Sequence, residues 1–291
     1  MSSIGVYDSG FGGLSVLRAL RARLPEADFL YLGDSGRAPY GGRSPDTILD
    51  FAEQAVERLF DEGCKLIVVA CNTVSCVALR HLQHHYAPDA QGPRRILGVT
   101  IPAAELVVAS GVRRVGILAT ARTVASNTYV TEIHKLDPDV QVVQRAAPLL
   151  APIVEEGWEG LPLAVEAIEH YLADLGPCDA LLLGCTHYPL LVPAIRAARP
   201  ELPILDPSER IAIRLADWLE RHPDFAGPGR GELRVLCTGD PVGFALHGAR
   251  FLGAPLPRVE SVVEVHGRLV PSQSPLPSPG QIVRSRARDR G

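Results

Sequence analysis

Two cysteines lie at the ends of matching apolar runs in this chain. Residues 64–73 read CKLIVVACNT and residues 178–187 read CDALLLGCTH. In each segment an apolar run with the pattern of a buried strand leads to a cysteine, Cys71 in the first and Cys185 in the second. Open α/β sheets bind ligands at the carboxyl ends of their strands. Two thiols presented in the same way by two parts of one chain therefore predict chemistry on one atom approached from two sides.

Acid–base groups accompany both thiols. The pKa of a free cysteine is about 8.5, and a helix N-terminus or a cationic histidine lowers it. Cys185 has His187 two residues further on, and Cys71 leads into a predicted helix that begins near Thr73. Asp8 ends the first predicted strand, where its carboxylate could orient a thiol or accept a proton, or could simply cap the next helix.

Buried cysteine commonly acts as a small apolar residue, and this interpretation stays open for Cys71 and Cys185 on spacing alone. It is the preferred interpretation for the other four cysteines, which are Cys64, Cys76, Cys178 and Cys237.

Strand and helix patterns alternate along the chain. The predicted strands are 3–7, 29–33, 65–70, 95–99, 114–118, 141–145, 179–184, 203–205 and 233–237. The predicted helices are 13–23, 45–62, 73–86, 102–110, 124–136, 161–175, 189–199, 208–222 and 240–252. This alternation predicts an α/β fold with largely parallel sheets and helices on both faces.

The pattern is duplicated. Residues 4–9 (IGVYDS) resemble residues 115–120 (VGILAT), and a cysteine follows each at a similar distance. We therefore predict two similar doubly wound α/β domains related by a pseudo-two-fold axis, with the active site in the cleft between them.

The predicted first domain is 1–97 plus 208–267, and the predicted second domain is 98–207. Residues 268–291 are rich in Pro, Ser and Arg and are predicted to form a disordered basic tail.

Composition narrows the class of protein. The chain has 291 residues, 46% of them hydrophobic and 21% charged, and its net charge is −4. Such a chain gives no reason to expect nucleic acid or a membrane as partner. No apolar stretch approaches the roughly 20 residues that span a bilayer, and residues 4–7 already have a strand pattern where a signal peptide would lie. Six cysteines without a CxxC pair favour neither a disulfide framework nor a zinc site, so we expect a reducing, cytoplasmic location.

No cofactor is expected. The only lysines are Lys65, at the start of a predicted buried strand, and Lys135, in a polar predicted helix, so neither suits a pyridoxal phosphate Schiff base. The chain has no Walker loop, and Gly10, Gly12 and Gly13 do not have the spacing of a dinucleotide fingerprint. The chemistry is therefore expected to use side chains alone.

Four blocks of the sequence together resemble the glutamate racemase family over about residues 4–265. They are Asp8-Ser9-Gly10, Gly33-Asp34 with Pro39-Tyr40-Gly41, Ala70-Cys71-Asn72-Thr73, and Gly184-Cys185-Thr186-His187-Tyr188-Pro189-Leu190. The resemblance implies cofactor-independent interconversion of L- and D-glutamate by two opposed thiols, which supplies D-glutamate for peptidoglycan. It also implies a homodimer, since members of this family commonly form dimers.

Roles for single residues follow from the same resemblance. Cys71 and Cys185 match the two catalytic cysteines, and Asp8 and His187 match the groups that assist them. Glu155, after Pro152-Ile153-Val154, fits a third assisting group. Implied substrate contacts are Asp8, Ser9, Tyr40, Gly41, Asn72, Thr73, Thr186 and His187.

Other functions stay open at this stage. Aspartate racemase and maleate isomerase, of the same superfamily, are compatible with two cysteines and differ in the acid that they accept. A decarboxylase of the superfamily would typically keep one such cysteine. A silent protein that binds a partner such as gyrase would not need intact acid–base groups. A thiol redox enzyme would need the two Cα atoms about 4.4–6.8 Å apart.

Overall fold

The computed structural model describes residues 2–86, 94–225, 227 and 229–272, and these residues contain eleven strands in two sheets. The strands are Ile4–Asp8 (β1), Phe29–Gly33 (β2), Leu66–Val69 (β3), Arg95–Gly98 (β4), Arg114–Ala119 (β5), Gln141–Ala146 (β6), Ala180–Gly184 (β7), Ile204–Leu205 (β8), Leu233–Cys237 (β9), Val259–Val265 (β10) and Arg268–Pro271 (β11). All nine predicted strands are present, within one residue at each end.

Helices connect most of these strands. They are Gly13–Arg23 (α1), Pro45–Asp61 (α2), Asn72–Val77 (α3), Leu79–His85 (α4), Thr100–Ala109 (α5), Ala121–Ser126 (α6), Thr128–Leu136 (α7), Leu150–Glu155 (α8), Pro162–Leu175 (α9), Val192–Ala198 (α10), Ser208–Arg221 (α11) and Pro241–Leu252 (α12), with 3₁₀ turns at Tyr188–Leu191 and Pro223–Phe225. None of the described helices has the length and apolar character needed to cross a bilayer.

The two sheets repeat one strand order. The first contains β4-β3-β1-β2 and continues through β9, β10 and β11, and the second contains β8-β7-β5-β6. Every pairing is parallel except that of β10 with β11. The prediction of two similar, largely parallel α/β units is therefore confirmed. Cys71 and Cys185 follow the equivalent strands β3 and β7, which explains why their segments match.

Buried apolar clusters lie on both faces of each sheet. Successive residues of a strand point to opposite faces, so neighbouring residues belong to different clusters. In β3, Leu66 and Val68 belong to one buried cluster, whereas Ile67 and Val69 belong to another. The first of these clusters also contains Leu181 and Leu183 of β7. One continuous apolar core therefore joins the two sheets and fixes the positions of their strand ends relative to each other.

Two predicted helices are each divided into two. The predicted helix 73–86 is interrupted at Ala78, which lies between α3 and α4. The predicted helix 124–136 is interrupted at Asn127, whose φ of 55° is left-handed. Asparagine adopts this conformation more readily than most residues, so it ends α6 and begins α7 without a glycine. The six-residue helix α8 was not predicted, because so short a segment shows little periodicity.

The predicted boundary of the tail at residue 268 is wrong for residues 268–271. These form β11, which pairs antiparallel with β10 through a turn at His266 and Gly267, both with positive φ. The pair His-Gly is not among the usual hairpin signatures, and edge strands have mixed polarity, so the local pattern contains no clear signal for this hairpin. The rest of the predicted tail, 273–291, lies outside the described residues. The domain division at 97/98 and 207/208 stays a prediction.

Candidate active site

A cavity lies where the carboxyl ends of the two sheets meet. It is lined by Ser9, Gly10, Ala38, Pro39, Tyr40, Gly41, Cys71, Asn72, Thr73, Thr120, Ala151, Glu155, Cys185, Thr186 and His187. Ten of the eleven residues singled out from the sequence are thus brought together, and the eleventh, Asp8, is fully buried behind this lining.

Cys71 lies at the junction of β3 and α3, with an extended backbone (φ −64°, ψ 118°) that precedes the first helical residue, Asn72. Its Sγ donates to Oγ of Ser9 at 3.4 Å. Burial and, next, the charge of Asp8 raise the pKa of the Cys71 thiol to about 12, against smaller opposing effects from Ser9 and the Val74 backbone. Cys71 is therefore a thiol at neutral pH.

Cys185 has a different environment. Its Sγ lies 3.8 Å from Nδ1 of His187, and Nε2 of the same ring lies 3.0 Å from Oε1 of Glu155. Burial by itself lowers the pKa of His187, but hydrogen bonds and charge from Cys185 and Glu155 outweigh it and raise the pKa to about 10. The ring is therefore a cation at neutral pH, and both of its nitrogens donate. This cation stabilises negative charge on the Cys185 sulfur.

Asp8 ends β1 and accepts from the Gly10 backbone N–H at 2.9 Å and from Thr186 Oγ1 at 3.5 Å. Burial raises the pKa of Asp8, while the charge of His187 and the backbone hydrogen bonds oppose that rise. The carboxylate therefore holds the Thr186 side chain and influences Cys71 through its charge, whereas the hydroxyl of Ser9 makes the hydrogen bond to Cys71. The assignment of Asp8 as a proton acceptor for Cys71 stays a prediction.

Buried polar groups hold the cavity lining in place. The hydroxyl of Tyr40 interacts with that of Tyr7 at 3.0 Å and with the buried carboxylate of Asp34, which also binds Arg37 and Thr238. On the opposite side, the hydroxyl of the fully buried Tyr129 lies 2.5 Å from Oδ1 of Asn72. With Oδ1 engaged, the amide N–H₂ of Asn72 is the group left for a ligand.

Thr120 lines the cavity but was not singled out from the sequence. Its Oγ1 caps α6 by accepting from Thr123 N–H at 3.2 Å, and it also lies 3.0 Å from Oγ1 of Thr73. A signal was present, since the internal repeat aligns residues 115–120 with residues 4–9 and so pairs Thr120 with Ser9. The same alignment pairs Asp8 with Ala119, so the second half has no carboxylate at that strand end. Its ionised partner is the Glu155–His187 pair instead.

Gly12 allows the start of α1 to approach the second half closely. A Cβ placed on Gly12 would lie 2.7 Å from Nδ1 of His187 and closer still to Oγ1 of Thr186. We expect Gly12→Ala to lower turnover by about 10²-fold, because a misplacement of about 1 Å in catalytic groups costs that much.

The control for this variant is Gly160→Ala, since a Cβ there meets no atom within 4 Å. The test compares the steady-state rates and melting temperatures of the two variants. If Gly12→Ala turned over as fast as Gly160→Ala, the close approach would be irrelevant to function.

No group of three or more His, Cys, Asp or Glu side chains that could hold a metal occurs among the described residues. Both cavity cysteines are free thiols. The site thus presents two free cysteine sulfurs, one imidazolium, and hydroxyl and amide donors suited to a small anionic ligand.

The sequence and the structure were compared with known proteins. The family model for Asp/Glu/hydantoin racemases matches residues 14–216. A glutamate racemase of Thermus thermophilus is 43% identical over 264 residues, which cover 90% of this chain and 95% of that protein. One from Roseobacter denitrificans is 38% identical and covers 86% of this chain and 96% of its own. The crystal structure of the Francisella tularensis glutamate racemase in complex with D-glutamate superposes with a TM-score of 0.82 at 32% identity, over 90% of this chain and 97% of that one.

Proposed function

This chain belongs to the Asp/Glu/hydantoin racemase family, and from that premise we propose that it is a cofactor-independent glutamate racemase that supplies D-glutamate for peptidoglycan synthesis. The observation that carries the proposal is the placement of two free thiols, Cys71 and Cys185, after equivalent strands of two repeated sheets and on one cavity.

Racemisation removes the α-proton on one face and returns a proton on the other. From L-glutamate, the Cys185 thiolate takes the α-proton and becomes a thiol, and the electron pair of the C–H bond stays on the α-carbon. The Cys71 thiol then donates its proton to the opposite face and becomes a thiolate. D-glutamate leaves, and proton exchange with solvent restores the starting protonation state of both sulfurs. In the reverse direction Cys71 takes the proton from D-glutamate.

The two environments support this assignment of faces. The raised pKa of Cys71, caused first by burial, keeps a proton on that sulfur, and the His187 cation lies against Cys185. The protonated Cys71 and the cation beside Cys185 therefore suit the L-to-D direction. For the D-to-L direction a proton must first move from Cys71 to the Cys185 side.

Charge develops on the substrate carboxylate when the α-carbon loses its proton, so donors fixed in advance lower the barrier. The hydroxyls of Ser9, Thr73 and Thr186, the amide of Asn72 and the backbone N–H groups at the start of α3 supply such donors around the cavity. Tyr40 and Gly41 close it from the loop after β2. We propose these residues and Asp8 as the substrate contacts.

The test is NMR of the purified protein with L-glutamate in D₂O and no added cofactor, with L-aspartate in a parallel sample. We expect the glutamate α-proton signal to disappear and D-glutamate to form. Activity on aspartate alone would show the sister specificity, and silence on both acids would contradict the proposed function.

We further propose that the chain acts as a homodimer in the cytoplasm, with domains 1–97 plus 208–267 and 98–207. The strand memberships of the two sheets support this division. Exposed apolar side chains in the segment between α8 and α9 and in the middle of α12, namely Trp158, Leu161 and Leu246, supply apolar surface that a second copy could cover. Sedimentation equilibrium of the wild type and of a Trp158→Glu variant tests the dimer.

A further inference from the structure

Helix α12 reaches across the cleft to the Glu155–His187 pair. It packs on α1 and β10, next to the seven-stranded sheet, whereas α8 packs on α9 and on the 3₁₀ turn that follows His187, next to the four-stranded sheet. Two consecutive residues of α12, Arg250 and Phe251, make the contacts.

Arg250 binds the carboxyl-terminal end of α8. One guanidinium nitrogen, Nη2, donates to the carbonyl oxygen of Val154 at 3.0 Å and to Oε1 of Glu159 at 2.5 Å. Val154 precedes Glu155 directly, so this contact fixes the backbone that carries the carboxylate on His187. A cation at a helix C-terminus is also electrostatically favourable.

Phe251 touches the other member of the pair. Its fully buried ring meets the His187 imidazole edge to face, with the ring centroids 5.3 Å apart. Neither residue lines the cavity. Arg250 therefore acts on Glu155 through the backbone, and Phe251 acts on His187 through packing.

We infer that Arg250 and Phe251 are positioning residues of the proposed racemase, which hold the Glu155–His187 pair in the geometry that activates Cys185. This inference rests on the proposed function for its catalytic consequence. Because the contacts join helices next to different sheets, correct placement of the pair also requires the two halves to be closed against each other. Cys71 does not depend on this arrangement, so the effect should be confined to proton transfer at Cys185.

The first test needs no turnover. NMR titration of the His187 ring in Arg250→Ala should show a pKa below that of the wild type, because Glu155, which raises that pKa together with Cys185, does so only while it is held in contact. The other ionisable groups that face the ring, Cys185 and Asp8, are unchanged in this variant. Arg250→Lys retains a positive donor and should show a smaller decrease.

The second test uses deuterated substrate. We expect Arg250→Ala to lose about tenfold in kcat. Its primary isotope effect on kcat/KM should rise with 2-deuterated L-glutamate, whose proton goes to Cys185, and fall with 2-deuterated D-glutamate. Both directions have equal kcat/KM because the equilibrium constant of a racemisation is one, so the isotope effects, not the rates, identify the affected face.

Arg258→Ala, an exposed position on the loop after α12, is the matched control and should resemble the wild type in both tests. The inference is overturned if Arg250→Ala has a wild-type His187 pKa and wild-type isotope effects, even with a lower melting temperature. A wild-type protein without racemase activity would contradict the proposed function, and the titration would still decide whether Arg250 positions the pair.

Discussion

Cys71→Ser and Cys185→Ser should each lower the rate of glutamate racemisation by about 10²–10⁴-fold, the usual contribution of a positioned acid or base. A serine hydroxyl is a much weaker acid than a thiol, so neither proton removal nor proton return proceeds well on the altered face. Both directions fail together, because every turnover uses both sulfurs. Circular dichroism of the amino acid over time, starting from each enantiomer, measures the loss.

Cys178→Ser is the matched control. Cys178 begins the second of the two matching segments but packs against Gly116, away from the cavity. We expect it to retain near wild-type turnover and to change stability only slightly. Near-normal racemisation by either cavity-cysteine variant would contradict the two-thiol mechanism.

Replacement of His187 by asparagine should lower turnover by about 10²-fold, at the lower end of the acid–base range. The variant removes the cation beside Cys185 while Cys71 and its hydrogen bond to Ser9 remain. Glu155→Gln should have a smaller effect in the same direction, since the imidazole stays but loses its carboxylate. An equal loss in both variants would show that Glu155 has a role of its own at the substrate.

The effect of His187→Asn on the free energy of unfolding should depend on pH. The pKa of His187 is raised from 6.5 to about 10 in the folded protein, so the charged ring stabilises the fold. That contribution is fully present below about pH 6.5 and is lost as the pH rises through about 10. The difference in unfolding free energy between wild type and His187→Asn should therefore be largest in mildly acidic solution and shrink in alkaline solution. A difference that is constant with pH would contradict the charged state of the ring.

Local patterns in the sequence predicted the parts of the fold that depend on neighbours in the chain. Buried parallel strands are continuous apolar runs, so β3 and β7 were evident, and the cysteines that end them were evident as a pair. Elements with weak local signals were missed. These are the six-residue helix α8, the strand β10 with its interspersed charges, and the short edge strand β11.

The sequence by itself thus determined the duplicated α/β pattern and the two thiols, because strand periodicity and residue type are local properties. Tertiary structure alone decided how the thiols differ. Burial and the charge of Asp8 keep the proton on Cys71. Cys185 itself and Glu155, which is 32 residues from His187 along the chain, keep the His187 ring charged. Arg250 is 96 residues from the Val154 carbonyl that it binds. Contacts over such separations depend on how the helix layers of the two sheets pack together, which the local sequence does not encode.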